Sequence, residues 1–478
     1  MPVLIKQPFV ARLSPGLALG LVLGLSLGVA QISFGQGAST AFVDVTVIAM
    51  DGERVSEHQT VVVRDGLIVT VGPANTVNVP IGSQSIDGRS RFLTPGLIDM
   101  HAHFLRPPNP GKQQDLDFKR YAQYNELIAF LNIANGVTSI RNMYGHPEID
   151  RLSARIRKGE LPGPTVYSTG PITDGEPPSI VGVRVVTNAE QAVVAVRDDK
   201  RHGYVGIKPY SRLTLEAYRA IVQAAAAENL PVMGHLPSAV PLEEAIHSHQ
   251  ASIEHAESFS GDIQPNPAEA DKKTDAELFA DADMNKMAHF AAQMRDAGVW
   301  TCPTVVVYQM DWPTGRVAAA MKYMPAELAS VYRKHYESSK FAESALEIDY
   351  GLNIIRALHA ARAGLLAGSD AFKPNVVPGF ALHEELDYFV QAGLTPYEAL
   401  GAATSEPAKF LGRTDEFGTI KIGSRADLLL LGANPLKDIH NLAKRIGVMV
   451  RGKWLAEPYL QRRLEHYRRA ANPQAPPP

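Results

Sequence analysis

Apolar positions change their spacing twice along the chain. Residues 42–71 carry short runs of alternating apolar and polar character, the pattern of half-buried strands. Within them, residues 59–64 and 67–71 flank Asp65-Gly66, a dipeptide suited to the positive φ angles of a tight hairpin. The same pattern returns at 417–431 and 446–455, with Gly418, Gly423 and Gly452 as turns. Two β-rich patches at opposite ends of one chain predict a single small β-sandwich assembled from both. Between them, apolar runs alternate with helical periodicity. Strands are expected at 97–101, 137–143, 165–169, 204–210, 231–236, 252–255, 299–306 and 365–369. Helical patterns lie between them, as at 126–135, 215–228 and 348–363. Gly136, Gly298 and Gly364 each stand directly before a strand, where glycine accepts the left-handed conformation that stops a helix. Eight strand–helix units over about 300 residues predict an α/β fold, a (β/α)8 TIM barrel. The implied organisation is a leader at 1–35, the first part of the sandwich at 40–93 and the barrel at 94–412. The second part of the sandwich follows at 413–458, and a C-terminal helix with a disordered tail at 459–478.

Composition narrows the function. The chain has 478 residues, with 47 Lys and Arg against 50 Asp and Glu. This near-balance lacks the basic excess of a nucleic-acid-binding protein. Cys302 is the only cysteine, which excludes an internal disulfide and any zinc site built from several cysteines. Near the start, Lys6 and Arg12 precede an uncharged apolar run at 16–30, followed by small residues. That is the order of an export signal, with cleavage after Ala30 or Gly35. The run is short of the ~20 residues a membrane span needs. An exported protein, periplasmic or secreted, is expected. Membrane attachment follows only if the segment stays uncleaved.

Chemistry gathers at the ends of the expected strands, where barrel enzymes hold their catalytic groups. The first ends in His101-Ala102-His103, and residues two apart on a strand face the same way. His101 and His103 can therefore reach one metal. The fourth carries Lys208 in an apolar setting, followed by Tyr210. The fifth ends at His235, the sixth at His255 and the eighth at Asp370. Each residue alone has an ordinary explanation: a satisfied core histidine, or a lysine whose stem is buried and whose head is paired. Six such residues at independently expected strand ends form a pattern that these explanations do not share.

The motifs Thr94-Pro-Gly-Leu-Ile-Asp-Met-His-Ala-His103, Ile207-Lys-Pro-Tyr210, Gly234-His235, Ser252-Ile-Glu-His255 and Gly368-Ser-Asp370 resemble those of the metal-dependent amidohydrolase superfamily. More narrowly, the chain is similar to the branch of imidazolonepropionase-like enzymes and Xaa-Pro dipeptidases. The resemblance implies two divalent metal ions. His101, His103 and Asp370 would hold one, His235 and His255 the second. Lys208, N-carboxylated by carbon dioxide, would bridge them as a carbamate. Imidazole and carboxylate donors suit zinc, with manganese or cobalt as substitutes. Asp370 would act as general base and then general acid. Tyr210 would polarise the substrate carbonyl or simply pack. Arg141 would pair with a substrate carboxylate or stand in a structural ion pair. His383 would line the pocket or only open a helix. Asp99 would stabilise its strand end.

The implied activity is hydrolysis of an amide bond in a small substrate, a dipeptide or an N-acyl amino acid. Three rivals compete. A mononuclear deaminase or cyclic-amide hydrolase of the same fold lacks the strand-four lysine and places a glutamate soon after the strand-five histidine. Here Lys208 is present, and Leu236-Pro-Ser238 follows His235. Lactones or organophosphates are alternative substrates for the binuclear enzyme. A non-catalytic barrel would be expected to have lost a ligand. Residues 257–285 are expected to loop over the mouth, and 312–341 to add helical material beside it.

Overall fold

The computed structural model describes residues 39–105, 118–180, 182–309, 320–326, 329–330, 341–371 and 376–471. The leader, the proline-rich tail and most of 312–341 lie outside the described residues.

The N-terminal alternation becomes strands β1 (Ser39–Ile48), β2 (Val55–Arg64), β3 (Leu67–Pro73), β4 (Gln84–Asp87) and β5 (Phe92–Pro95). The hairpin turns at Asp65-Gly66, both at positive φ. The parallel segments follow: β6 (Leu97–Ala102), β7 (Val137–Asn142), β8 (Thr165–Ser168), β9 (Ile172–Asp174), β10 (Arg184–Val185), β11 (Lys208–Pro209), β12 (Met233–Gly234), β13 (Ser252–Glu254), β14 (Trp300–Cys302) and β15 (Gly364–Leu365). Three strands close the chain: β16 (Leu428–Leu431), β17 (Arg445–Val450) and β18 (Lys453–Ala456).

Both ends of the chain do share one β-structure, but the pairing is continuous rather than divided between two sheets. The order is β18-β17-β16-β5-β1-β2-β3, with β4 also on β1. Register shifts in β1 bend it, one of them between Phe42 and Val45 where Asp44 takes a positive φ. Phe42, Val61, Ile68, Leu93, Leu428 and Met449 then pack into a core of their own. Only 428–431 of the expected strand at 417–431 pairs regularly. Before it the chain turns at Gly418 and Gly423, both at positive φ.

The middle of the chain is α/β with parallel strands. β6, β7 and β8 pair in order, and β12 to β15 pair in order. Backbone bonds connect the sets. Gly170 N–H donates to Gly206 O at 2.9 Å, and His235 N–H to Pro209 O at 3.2 Å. Asp370 N–H donates to His101 O at 2.6 Å, so the eighth segment lies beside the first. Every residue of β6 and β7 is buried, as expected of strands covered on both faces. The expected strands are shorter than their apolar runs: the run at 299–306 pairs only over Trp300–Cys302 and then turns into a 3-10 helix, Val305–Tyr308. Residues 257–285 are not a plain loop; they contain the short helices Pro267–Lys272 and Asp275–Ala280.

Candidate active site

His101, His103, Lys208, Tyr210, His235, His255 and Asp370 all line one cavity of 290 Å³, at the ends of five different parallel segments. Phe104, Leu105, Tyr144, Ile172 and Ile180 complete its described wall. Tight backbone approaches bring the polar groups together. A Cβ on Gly368 would stand 2.4 Å from Cys302 Sγ and 2.5 Å from His101 N, so only glycine lets the eighth segment lie against the first there. A Cβ on Gly234 would meet Pro209 O at 2.6 Å and Lys208 Cγ at 3.0 Å.

Asp370 is central. Its Oδ1 lies 3.0 Å from His103 Nε2 and 3.5 Å from His101 Nε2, and its Oδ2 lies 3.9 Å from His255 Nδ1. The rings of His235 and His255 are 4.5 Å apart, those of His101 and His255 4.6 Å, and Tyr210 sits 4.2 Å from His235. The ligand atoms of His101, His103 and Asp370 lie within 4.8 Å of one another, close enough to share one ion. His101 Nε2 is buried and makes no hydrogen bond among the described residues. Burial holds the His101 pKa well below its usual value, keeping the ring neutral with a lone pair to give. Neutral imidazoles and a carboxylate are the donors divalent metals take. The site therefore fits a metal ion. Lys208, 1% exposed, lies in the same cavity.

Behind the cavity wall is a polar layer in which Arg141 and Asp99 had been expected as structural groups and Glu254 and Ser252 had no assigned role. Glu254 Oε2 lies 2.9 Å from His101 Nδ1, and Arg141 Nη2 donates to both Glu254 oxygens at 2.7 Å. Arg141 also donates to Met100 O at 2.5 Å and Ser252 Oγ at 2.9 Å. Of its two expected roles, this placement is the structural ion pair. The guanidinium is fully buried and committed to Glu254, away from the cavity wall where a substrate carboxylate would be met. Burial raises the Glu254 pKa, and the Arg141 charge opposes that shift. His383 likewise stands apart from the described wall, its Nε2 2.8 Å from Asn135 O. Asp99 accepts from Ser369 N at 3.0 Å, Ser369 Oγ at 2.5 Å and His101 N at 3.1 Å, tying the first and eighth segments together. Burial pushes its pKa up to about 6. Ser252 and Glu254 are two apart on β13 and so share a face; that spacing was the one sequence signal for the layer.

Residues 92–455 match the amidohydrolase family. The chain is an amidohydrolase. It is 24% identical over 408 residues to the imidazolonepropionase of Brucella suis biovar 1 (strain 1330), covering 82% of this chain and 92% of that protein. It is 24% identical over 470 residues to the ochratoxinase of Aspergillus niger, covering 84% of each. Among solved structures, a Xaa-Pro dipeptidase with methionine bound in its active site superposes with a TM-score of 0.64 at 21% identity, over 88% of this chain and 100% of that one. The solved neighbour implies a TIM-barrel-like α/β fold, and membership of the family makes the chain a hydrolase of C–N bonds.

Proposed function

We propose that this amidohydrolase is an exported binuclear metalloenzyme on a closed (β/α)8 barrel. It hydrolyses one amide bond of a small substrate, a dipeptide or an N-acyl amino acid. One observation carries the binuclear reading: buried Lys208 shares a cavity with four histidines and Asp370. His101, His103 and Asp370 would hold one ion, His235 and His255 the other, with N-carboxylated Lys208 between them. A free ammonium repels cations, whereas a carbamate offers two anionic oxygens. Two divalent ions, zinc by donor type, would supply Lewis acidity for the scissile carbonyl and acidify water.

The chain's own residues do the rest. Asp370, within 4 Å of three imidazoles, takes the proton of the attacking water. Water adds to the carbonyl carbon, the C–N bond breaks, and Asp370 returns the proton to the leaving amine. Tyr210, at the cavity edge beside His235, offers its hydroxyl to the substrate carbonyl oxygen. Phe104, Leu105 and Ile172 keep the acyl side apolar.

The mononuclear cyclic-amide reading has one observation of its own: the tight cluster of His101, His103 and Asp370 suits a single ion. Lys208 decides between the two. Lys208→Ala is expected to lose at least one metal and nearly all turnover on dipeptides. Lys208→Glu is expected to recover part of both, and bicarbonate to speed metal reconstitution of the apoenzyme. Unchanged metal content in Lys208→Ala, with no bicarbonate effect, would return the mononuclear enzyme to first place.

A further inference from the structure

Glu385 lies on the helix Phe380–Gln391, is fully buried, and has no part in the chemistry above. Its Oε2 accepts from Val306 N–H at 2.8 Å. Its Oε1 has no hydrogen-bond partner among the described residues, so the Val306 bond is the tie between this carboxyl and the turn at residues 304–306.

The turn is set by Thr304, which is left-handed, at φ 50° and ψ 43°. For a β-branched residue that conformation is strained, of order 1–3 kcal/mol, and it persists only where its surroundings hold it. What it achieves lies on the other side of the turn. Thr304 Oγ1 is 2.7 Å from His255 Nδ1. When Nδ1 donates to that hydroxyl, Nε2 carries the lone pair that a metal needs. His255 is itself at φ 70°, so neither the ring's position nor its partner's follows from regular strand geometry.

The geometry points to Glu385 as a positioning residue for His255: bonded to Val306 N–H in the turn at residues 304–306, it holds Thr304 left-handed, and Thr304 Oγ1 then fixes the His255 ring. Glu385 touches neither substrate nor metal and acts through the turn. The inference rests on the proposal that His255 is a metal ligand.

The test uses the full-length enzyme and zinc titrated against a chelating dye. Glu385→Leu fills the same space without an acceptor and is expected to weaken zinc binding about 10- to 100-fold, the range for residues that orient ligands. Glu385→Gln keeps an oxygen for Val306 N–H and is expected to retain most of the affinity. Thr304→Val leaves the Val306–Glu385 bond intact but removes the hydroxyl, and should weaken zinc as Glu385→Leu does. Thr304→Ser should not. If both act on one path, Glu385→Leu combined with Thr304→Val costs no more than either alone. Full zinc affinity in Thr304→Val, or additive losses in the double variant, would overturn the assignment. So would a lowered unfolding midpoint in Glu385→Leu with zinc affinity unchanged. A wild-type enzyme that binds no zinc would refute the metal reading instead. Crystals would then decide the positioning claim: it stands if Glu385→Leu breaks the Thr304–His255 hydrogen bond and falls if the bond survives.

Discussion

Arg141→Met tests the polar layer beneath the cavity. The methionine fills most of the arginine's volume and removes its charge. Glu254 is then left at 0% exposure, with Ser252 and His101 as its remaining partners. Breaking a buried ion pair from one side costs about 3–5 kcal/mol, because the surviving charge has no compensation. Glu254→Gln should cost a similar amount, since Arg141 is then the stranded group. Removing both charges leaves only unsatisfied hydrogen bonds, about 1–3 kcal/mol. Arg141→Met/Glu254→Gln should therefore be more stable than either single variant, with a coupling of at least ~2 kcal/mol. Urea midpoints followed by tryptophan fluorescence measure all four proteins. The Arg141→Met deficit should also depend on pH. Burial already raises the Glu254 pKa in the wild type, and losing Arg141 raises it further. A folded-state pKa above the unfolded value of ~4.5 means that stability is present at low pH and lost as pH rises. The deficit should thus widen only above the wild-type Glu254 pKa, where the variant still holds the proton that the wild type has released, by at most ~1.4 kcal/mol per pH unit. Additive single variants, or a deficit flat with pH, would refute the picture of a sealed, mutually dependent pair.

His101→Ala, His103→Ala, His235→Ala and His255→Ala should each lower metal content and turnover, checked by elemental analysis; full occupancy in any one removes that residue from the ligand set. Gly368→Ala should destabilise the chain by more than ~2 kcal/mol and cut activity together, because its Cβ strikes Cys302 Sγ and His101 N; a neutral urea midpoint would show that the two segments can part cheaply. Glu385, pushed up to about 8 by burial, holds a proton in the folded state that the unfolded state has lost between pH ~4.5 and 8. Wild-type stability should fall with rising pH across that window, and Glu385→Gln should flatten the slope in pH-resolved denaturation. Deleting residues 1–35 should leave an active enzyme, as turnover of the truncated chain will show.

The fold was legible wherever apolar runs and turn residues agreed. β6, β7 and the hairpin at Asp65-Gly66 lie where the alternation put them, because a strand covered on both faces and a turn needing positive φ both leave strong marks. β9 and β10 went unseen; strands of three and two residues carry too little pattern. Within the site, His101, His103, His235, His255 and Asp370 stood out because each lies at or just past the end of an expected strand, and the structure lines one cavity with them. Arg141 was seen but could not be assigned. Its partner Glu254 lies 113 positions away, and nothing local says whether a strand-end arginine faces the mouth or the interior.

What the sequence hides most completely is how the backbone beside the cavity is held. His255, Thr304 and Asp370 all sit at positive φ although none is glycine. Left-handed backbone at non-glycine residues costs free energy, so each needs neighbours that over-determine it. The neighbours are Ser369 with Asp99 beside Asp370, and Glu385, bonded to Val306 N–H, beside Thr304. Asp99 and Glu385 are acids whose burial raises their pKa, and neither lies on the described cavity wall. Their carboxyls are better understood as acceptors for backbone N–H groups than as proton donors to substrate. The chain thus separates two tasks on one set of strands. Residues at the strand ends line the cavity, and buried acids off its described wall accept from the backbone beside them. Substitutions of those acids should therefore change metal affinity and stability together, whereas substitutions of Tyr210 should change turnover alone.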